Sequence, residues 1–250
     1  MADWIYGVNP AREGLRSRLR RPLELVVTRQ PLGPRVQEVI EEAEREGVAV
    51  RQVERRDMDR LAGNNRHQGV LLKVEDFSFA SVDDLVESWR ASGRPAFFLL
   101  LDGITDPHNL GALIRSAEGA GCHGVIIPKD RACGVTGVVD KSSAGALEHI
   151  PLCQVTNLAR TMDELRRAGV WVYGLAGEAD SQDIYSCDLA GNIALVVGSE
   201  GSGLRPNVKA HCDGLLRIPM AGAVSSLNAS VAGALAMYEV VRQRRVLSGS

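Results

Sequence analysis

Three polar stretches of the chain carry the residue types that could hold a ligand and act on it. The first runs Asp102-Gly103-Ile104-Thr105-Asp106-Pro107-His108-Asn109-Leu110-Gly111 and on to Arg115. At helical spacing Arg115 has only small neighbours, Gly111, Ala112, Ser116 and Gly119. They leave room beside the guanidinium for a backbone, a phosphate or a ligand; the alternative is an ordinary ion pair with Glu118 at i+3. Asn109 suits a helix N-cap. Asp106 and His108 have no third ligand at metal spacing, so a turn is expected there and no metal. The second stretch is Gly198-Ser199-Glu200-Gly201-Ser202-Gly203, whose glycines let backbone amides approach a ligand closely. No lysine follows them, as a P-loop needs, and their spacing is not that of a dinucleotide fingerprint. The third is Ile218-Pro219-Met220 through Ser225-Ser226-Leu227-Asn228-Ala229-Ser230. Ser225 and Ser226 are expected to cap a long helix, and with no G-x-S-x-G elbow a serine nucleophile is disfavoured. A fourth loop, Leu175-Ala176-Gly177-Glu178, could face the same crevice.

These stretches need elements to position them. From residue 95 onward short apolar runs alternate with helical patterns: Ala96–Leu101, Gly124–Ile127, Val170–Ala176, Ile193–Val197 and Leu215–Ile218. Such runs read as buried parallel strands, and the alternation predicts an α/β domain with a mainly parallel sheet. In an open parallel sheet ligands gather at the carboxyl ends of the strands, where the polar stretches stand. Leu110, Leu113, Ile114 and Ala117 form one helical stripe, and Leu227, Val231, Ala234, Tyr238 and Val241 another. Residues 1–75 read as a smaller α/β unit, with strands at Leu23–Thr28, Val48–Val53 and Gly69–Val74 and a helix through Val36, Val39, Ile40 and Ala43. A mixed segment, 76–94, with a short helix at Val82–Trp89, is read as the linker.

Composition narrows the classes. Hydrophobic residues are 45% and charged residues 24% of 250, which excludes wholesale disorder. The apolar run Ala96–Leu101 is far short of the ~20 residues of a membrane span, so no membrane partner is expected. Met1-Ala2-Asp3-Trp4 lacks a signal pattern, and five cysteines without a C-x-x-C argue against a disulfide framework; a cytoplasmic location is expected. The net charge of −2 selects no partner, but Ala11–Arg21 concentrates Arg12, Arg16, Arg18, Arg20 and Arg21 against one glutamate. Arginine forks suit phosphate, so these five are candidate contacts to a phosphate-bearing partner.

Taken together and in order, the three stretches resemble the motifs of the SpoU/TrmH family of SPOUT-class RNA 2′-O-methyltransferases. Asn109-Leu110-Gly111 with Arg115 is similar to the first motif, Gly198–Gly203 to the second, and Ile218–Met220 through Ser225–Ser230 to the third. The likeness covers nearly the whole chain, including Tyr6-Gly7-Val8-Asn9-Pro10, His67-Gln68-Gly69-Val70 and Val155–Thr161. Leu204 and Ala223 depart from the residues usual in relatives without removing a polar group.

The resemblance implies an L30e-like RNA-binding domain at 1–75 and a trefoil-knotted methyltransferase domain at 95–250. It also implies a homodimer, S-adenosyl-L-methionine as cofactor, and a guanosine of 23S ribosomal RNA as substrate. A transfer RNA methyltransferase and a non-catalytic RNA-binding homologue are the alternatives. Carried over by motif, Leu175, Ala176, Gly177, Gly198, Ile218, Met220 and Leu227 would contact the cofactor. Asn109, Arg115, Glu200, Ser226 and Asn228 would form the reaction site. Because arginine is effectively never deprotonated, Arg115 is expected to bind phosphate and stabilise the developing alkoxide rather than act as the base.

Overall fold

The computed structural model describes residues 3–17, 19–29, 33–63, 65, 67–178 and 180–248. The chain forms two compact units: Met1–Ser78 with Val135–His149, and Phe79–Gly134 with Ile150–Ser250. In chain order the first unit contributes β1 (Asp3–Tyr6), α1 (Val8–Arg16), β2 (Pro22–Thr28), α2 (Pro34–Arg45), β3 (Ala49–Val53), α3 (Arg55–Ala62) and β4 (Val70–Val74). The second follows with α4 (Val82–Ser92), β5 (Phe97–Asp102), α5 (Pro107–Gly119) and β6 (Gly124–Pro128). The chain then adds α6 (Gly137–Ser142) to the first unit. It returns for β7 (Leu152–Val155), α7 (Leu158–Arg167), β8 (Trp171–Leu175), β9 (Gln182–Asp183), β10 (Ile193–Gly198), α8 (Pro206–Lys209), β11 (Gly214–Arg217) and α9 (Ala229–Ser248).

The first unit is a four-stranded sheet in the order β1-β4-β2-β3, with β2 and β3 parallel and β4 antiparallel to its neighbours. Alternation along β2 and β4 sends Leu25, Val27, Val70 and Leu72 towards Leu15, Val39, Ile40 and Ala43 of α1 and α2. Val26 and Leu71 face Met58 of α3 on the other side. Each such burial contributes about 1.5–3 kcal/mol.

The second unit is a fully parallel seven-stranded sheet, β7-β6-β5-β10-β8-β11-β9, as the apolar runs predict. Four features differ from the sequence reading. Residues 79–94 are part of this unit rather than a linker: Ser81 caps α4 in a capping box, and Leu85 and Trp89, spaced i, i+4, enter its core. The N-cap of α5 is Asp106, whose carboxylate accepts from the His108 N–H at 3.0 Å, so Asn109 lies inside the helix. The N-terminus of α9 is held by Asn228, not by Ser225 or Ser226. Its Oδ1 accepts from the N–H groups of Ser230 (2.9 Å) and Val231 (3.3 Å). The buried face of α9 carries Ala229, Ala236, Met237 and Val240, whereas Val231 and Tyr238 of the expected stripe point outward. Gly233 sets that rotation: a Cβ there would stand 2.5 Å from Leu113 Cδ2, so α9 lies against α5 along its small residues.

Candidate functional site

The loops after β8, β10 and β11, with the chain entering α9, enclose a cavity of about 620 Å³ at the carboxyl ends of the strands. That volume suits a small-molecule cofactor. Leu175, Ala176, Gly177, Gly198, Ile218, Met220 and Leu227 all line it, together with Glu200, Ser226 and Asn228. Among the described residues Glu178 and Glu200 are the charged ones of that lining; Glu178 is paired with Lys209, and the unneutralised Glu200 carboxylate disfavours a polyphosphate and suits a ligand carrying positive charge. Gly177 leaves open space where a Cβ would project. Gly198 is required for a different reason: a Cβ there would lie 2.3 Å from the carbonyl carbon of Gly203, so only glycine lets the loop fold back at the end of β10. The turn closes through paired Ser199 and Gly203 backbones, with Gly201 and Gly203 at positive φ.

Three of the expected reaction-site residues meet at the edge of this cavity. Asn109 donates from Nδ2 to Glu200 Oε1 at 2.9 Å, and Asn228 Nδ2 donates both to Asn109 Oδ1 at 3.0 Å and to Glu200 Oε1. One residue from each polar stretch is thus bonded to the other two, and a single carboxylate oxygen accepts from two amides. Because Asp106 caps α5, the Asn109 side chain is free for this network. Ser226 is exposed in the cavity wall. Arg115 is exposed on α5, outside the lining; its guanidinium makes no ion pair or hydrogen bond among the described residues, so the pairing with Glu118 does not form.

One residue whose role the sequence reading did not assign holds the chain that leaves the glycine loop. Asp102, at the end of β5, is fully buried. It accepts from the backbone N–H of Arg205 at 2.8 Å and from Arg205 Nε at 2.6 Å. The available signal was a lone acid ending the run Phe97–Leu101, beside the strand that feeds the loop. Lys209 donates to Glu178 of the cavity lining at 2.7 Å, which holds the Glu178 carboxyl below the usual range. The cysteines are all free, and burial pushes each thiol up, Cys153 to about 11 and Cys212 to about 12, so none is poised as a nucleophile.

Residues 96–238 match the model of the SpoU rRNA Methylase family. The chain belongs to that family. Residues 4–80 match a second model, RNA 2′-O ribose methyltransferase substrate binding. The 23S rRNA (guanosine-2′-O-)-methyltransferase RlmB of Xanthomonas campestris is 44% identical over 242 residues, 97% of each chain. The SpoU methyltransferase AviRb from Streptomyces viridochromogenes, solved in complex with AdoMet, superposes with a TM-score of 0.79 at 28% identity, covering 98% of this chain and 91% of its own. A structure concerned with 2-OH methylation of C/U34 on tRNA covers 63% of this chain and all of its own, with a TM-score of 0.55 at 26% identity.

The arginine cluster of the first unit fares differently from the cavity. Arg20 is 3% exposed, donating to Asp140 at 2.9 Å and to Glu148, so it is a buried ion-pair centre and not a phosphate contact. Arg16 pairs with Glu42, and Arg12 lies 3.9 Å from Glu13 and 4.0 Å from Glu38. Arg21 is exposed, and Arg18 lies outside the described residues. No helix among the described residues is long and apolar enough to cross a membrane.

Proposed function

We propose that this protein transfers a methyl group from S-adenosyl-L-methionine to the ribose 2′-oxygen of a guanosine in 23S ribosomal RNA. The observation that carries the reading is the Asn109–Glu200–Asn228 network at the edge of a cavity lined by every residue expected to contact the cofactor. When bound, the cofactor supplies a methyl group already activated on a cationic sulfur. The protein's task is alignment and stabilisation of charge growing on the oxygen. Backbone around Gly177, Gly198 and Ile218 holds the cofactor, and the carboxylate of Glu200 favours its positive charge. Glu200, fixed by the two asparagines, orients the ribose with Ser226. The exposed guanidinium of Arg115, without a partner among the described residues, binds a neighbouring phosphate and stabilises the developing alkoxide.

The near full-length likeness to a 23S enzyme supports the ribosomal substrate. The tRNA-related structure accounts for only 63% of this chain. The same reading includes a homodimer and a trefoil knot in the methyltransferase unit. The dimer is supported by α9, whose Val231, Leu235 and Tyr238 are 47%, 43% and 52% exposed along one face. Five unpaired cysteines fit a reducing cytoplasm. The test is to map 2′-O-methyl groups on 23S rRNA from a deletion strain and to restore the missing mark in vitro with purified protein and labelled cofactor. An unchanged methylation map, with no label incorporated, overturns the proposal.

A further inference from the structure

The expected RNA contacts in and just after α1 are partly paired within their own unit, and the opposite end of that unit's sheet carries four further arginines, of which only Arg29 has an acid within ion-pair distance among the described residues. Strands β2 and β3 run parallel, with Thr28 opposite Val53, and the Arg29 N–H donates to the Val53 carbonyl at 3.0 Å. Just beyond these two ends α2 and α3 begin. Arg35 is the second residue of α2, and Arg55 and Arg56 are the first two of α3. Four arginines therefore stand at one end of one sheet. All four are exposed. Arg29 is 3.5 Å from Glu54, both largely in solvent, and Arg35, Arg55 and Arg56 make no ion pair among the described residues. The opposing acids are Glu54 and Asp57, and Asp57 is 3.8 Å from Arg60 on its own helix.

The three helix-start positions, Arg35, Arg55 and Arg56, are unfavourable for helix stability. Helix starts favour acids and disfavour cations, by about 0.3–1 kcal/mol per charge. The contrast is α4, which begins with Asp83 and Asp84 behind a serine cap. By comparison α2 has no acid in its first turn and α3 has only Asp57, and neither has a side-chain cap. The surface is also held firm. His67 is buried, bonded to Asp59 at 2.8 Å through Nε2, and accepts the Gly69 N–H at Nδ1; Gly69 in turn accepts from the Thr28 N–H at 3.1 Å. Exposed arginines, three of the four without an acid partner among the described residues and set at helix starts that do not favour them, suit an anionic partner.

We infer that Arg29, Arg35, Arg55 and Arg56 form the phosphate-binding surface through which the first unit holds the RNA strand, in place of the α1 cluster. The inference rests on the proposed RNA methyltransferase function. The test uses full-length protein, a 23S rRNA transcript and filter binding across a KCl series. Each lost phosphate contact lowers the salt slope by about 0.7–0.9, so the fourfold Arg→Gln variant should lose about 3 from the slope and at least tenfold in affinity at low salt. The variant Arg12→Gln/Arg16→Gln/Arg21→Gln should stay within about threefold of the parent, because two of its three charges already have protein partners. The pairs Arg29→Gln/Arg35→Gln and Arg55→Gln/Arg56→Gln should each give about half the effect, and they decide the matter if the fourfold variant loses its melting transition. A larger loss in the α1 variant, or patch variants that bind like the parent, overturns this inference and leaves the methyltransferase reading standing. A parent protein with no salt-dependent RNA binding removes both.

Discussion

Replacing Asp102 by asparagine tests whether the glycine loop must be held for the site to work. Asp102 has no solvent to fall back on, and both of its bonds go to Arg205, the residue just after the loop. Asparagine keeps an oxygen for the backbone N–H but loses the charge-assisted bond and can turn an amide N–H towards the guanidinium. A hydrogen bond to a charged group contributes about 1.5–3 kcal/mol. Arg205 is 39% exposed, so water recovers part of that, and about 2 kcal/mol is the working figure. At 1.4 kcal/mol per tenfold, this is roughly a 30-fold fall in the equilibrium constant for the loop in place, and at most that in its population. The loop forms one wall of the cavity and carries Glu200. Calorimetry should therefore show S-adenosylmethionine binding weakened by up to about that factor, with single-turnover methyl transfer reduced further. Arg205→Ala loses the same charge-assisted bond and leaves the buried Asp102 carboxylate without its cation, so it should weaken binding at least as much, and the double variant should fall short of the sum. A variant that melts lower yet binds cofactor within twofold of the parent would refute the reasoning, because Asp102 would then support the fold without positioning the loop.

Three further outcomes follow from the same geometry. Arg115→Lys should lose turnover on the order of 10²-fold while folding and binding cofactor normally, since a lysine cannot reproduce a planar fork; single-turnover rates that recover to parental values near pH 10 would mean that Arg115 acts as a base. Arg20→Met leaves Asp140 and Glu148 buried without their cation and should cost about 3–5 kcal/mol in urea unfolding, whereas a change below 1 kcal/mol would show the cluster to be dispensable. Burial holds the His123 imidazole below its ordinary pKa, and Nδ1 accepts from the Phe97 N–H at 3.1 Å. The unfolded chain then binds the extra proton first, so stability is full above about pH 6.5 and declines as pH falls below it. Melting curves of His123→Gln should lack that part of the acid dependence, and identical pH profiles for the two proteins would exclude it.

The parallel sheet was legible because β5 and β10 are buried on both faces and read as unbroken apolar runs. Short strands without such a run were not: β1 mixes an acid with aromatics, and β7 has only Leu152 and Cys153 fully buried. The rotation of α9 was hidden for a different reason. Its larger apolar residues suggested the buried stripe, but close contact with α5 needs small ones, and Gly233 and Ala236 decide the matter from the side that hydropathy underweights. The arginine cluster misled because charge density along the chain says nothing about which acids fold back on it. Glu42, Asp140 and Glu148 are remote in sequence from the arginines they neutralise.

The site itself turns on which side chain caps which helix. Sequence offers Asn109 and the serine pair 225–226 as caps, and each is locally sensible. In the folded chain Asp106 takes the first role, which frees both ends of the Asn109 amide to face Glu200 and Asn228. Asn228 takes the second with Oδ1 alone, leaving Nδ2 for Glu200. Aspartate at 228 would cap equally well but would set a second carboxylate against Glu200, and serine would have no arm to reach it. An amide at 228 is thus the side chain that can start α9 and hold the glycine loop's carboxylate at once. The helix start and the reaction site are fixed by the same atoms, so the order of the three polar stretches in the chain becomes a single hydrogen-bonded cluster in space.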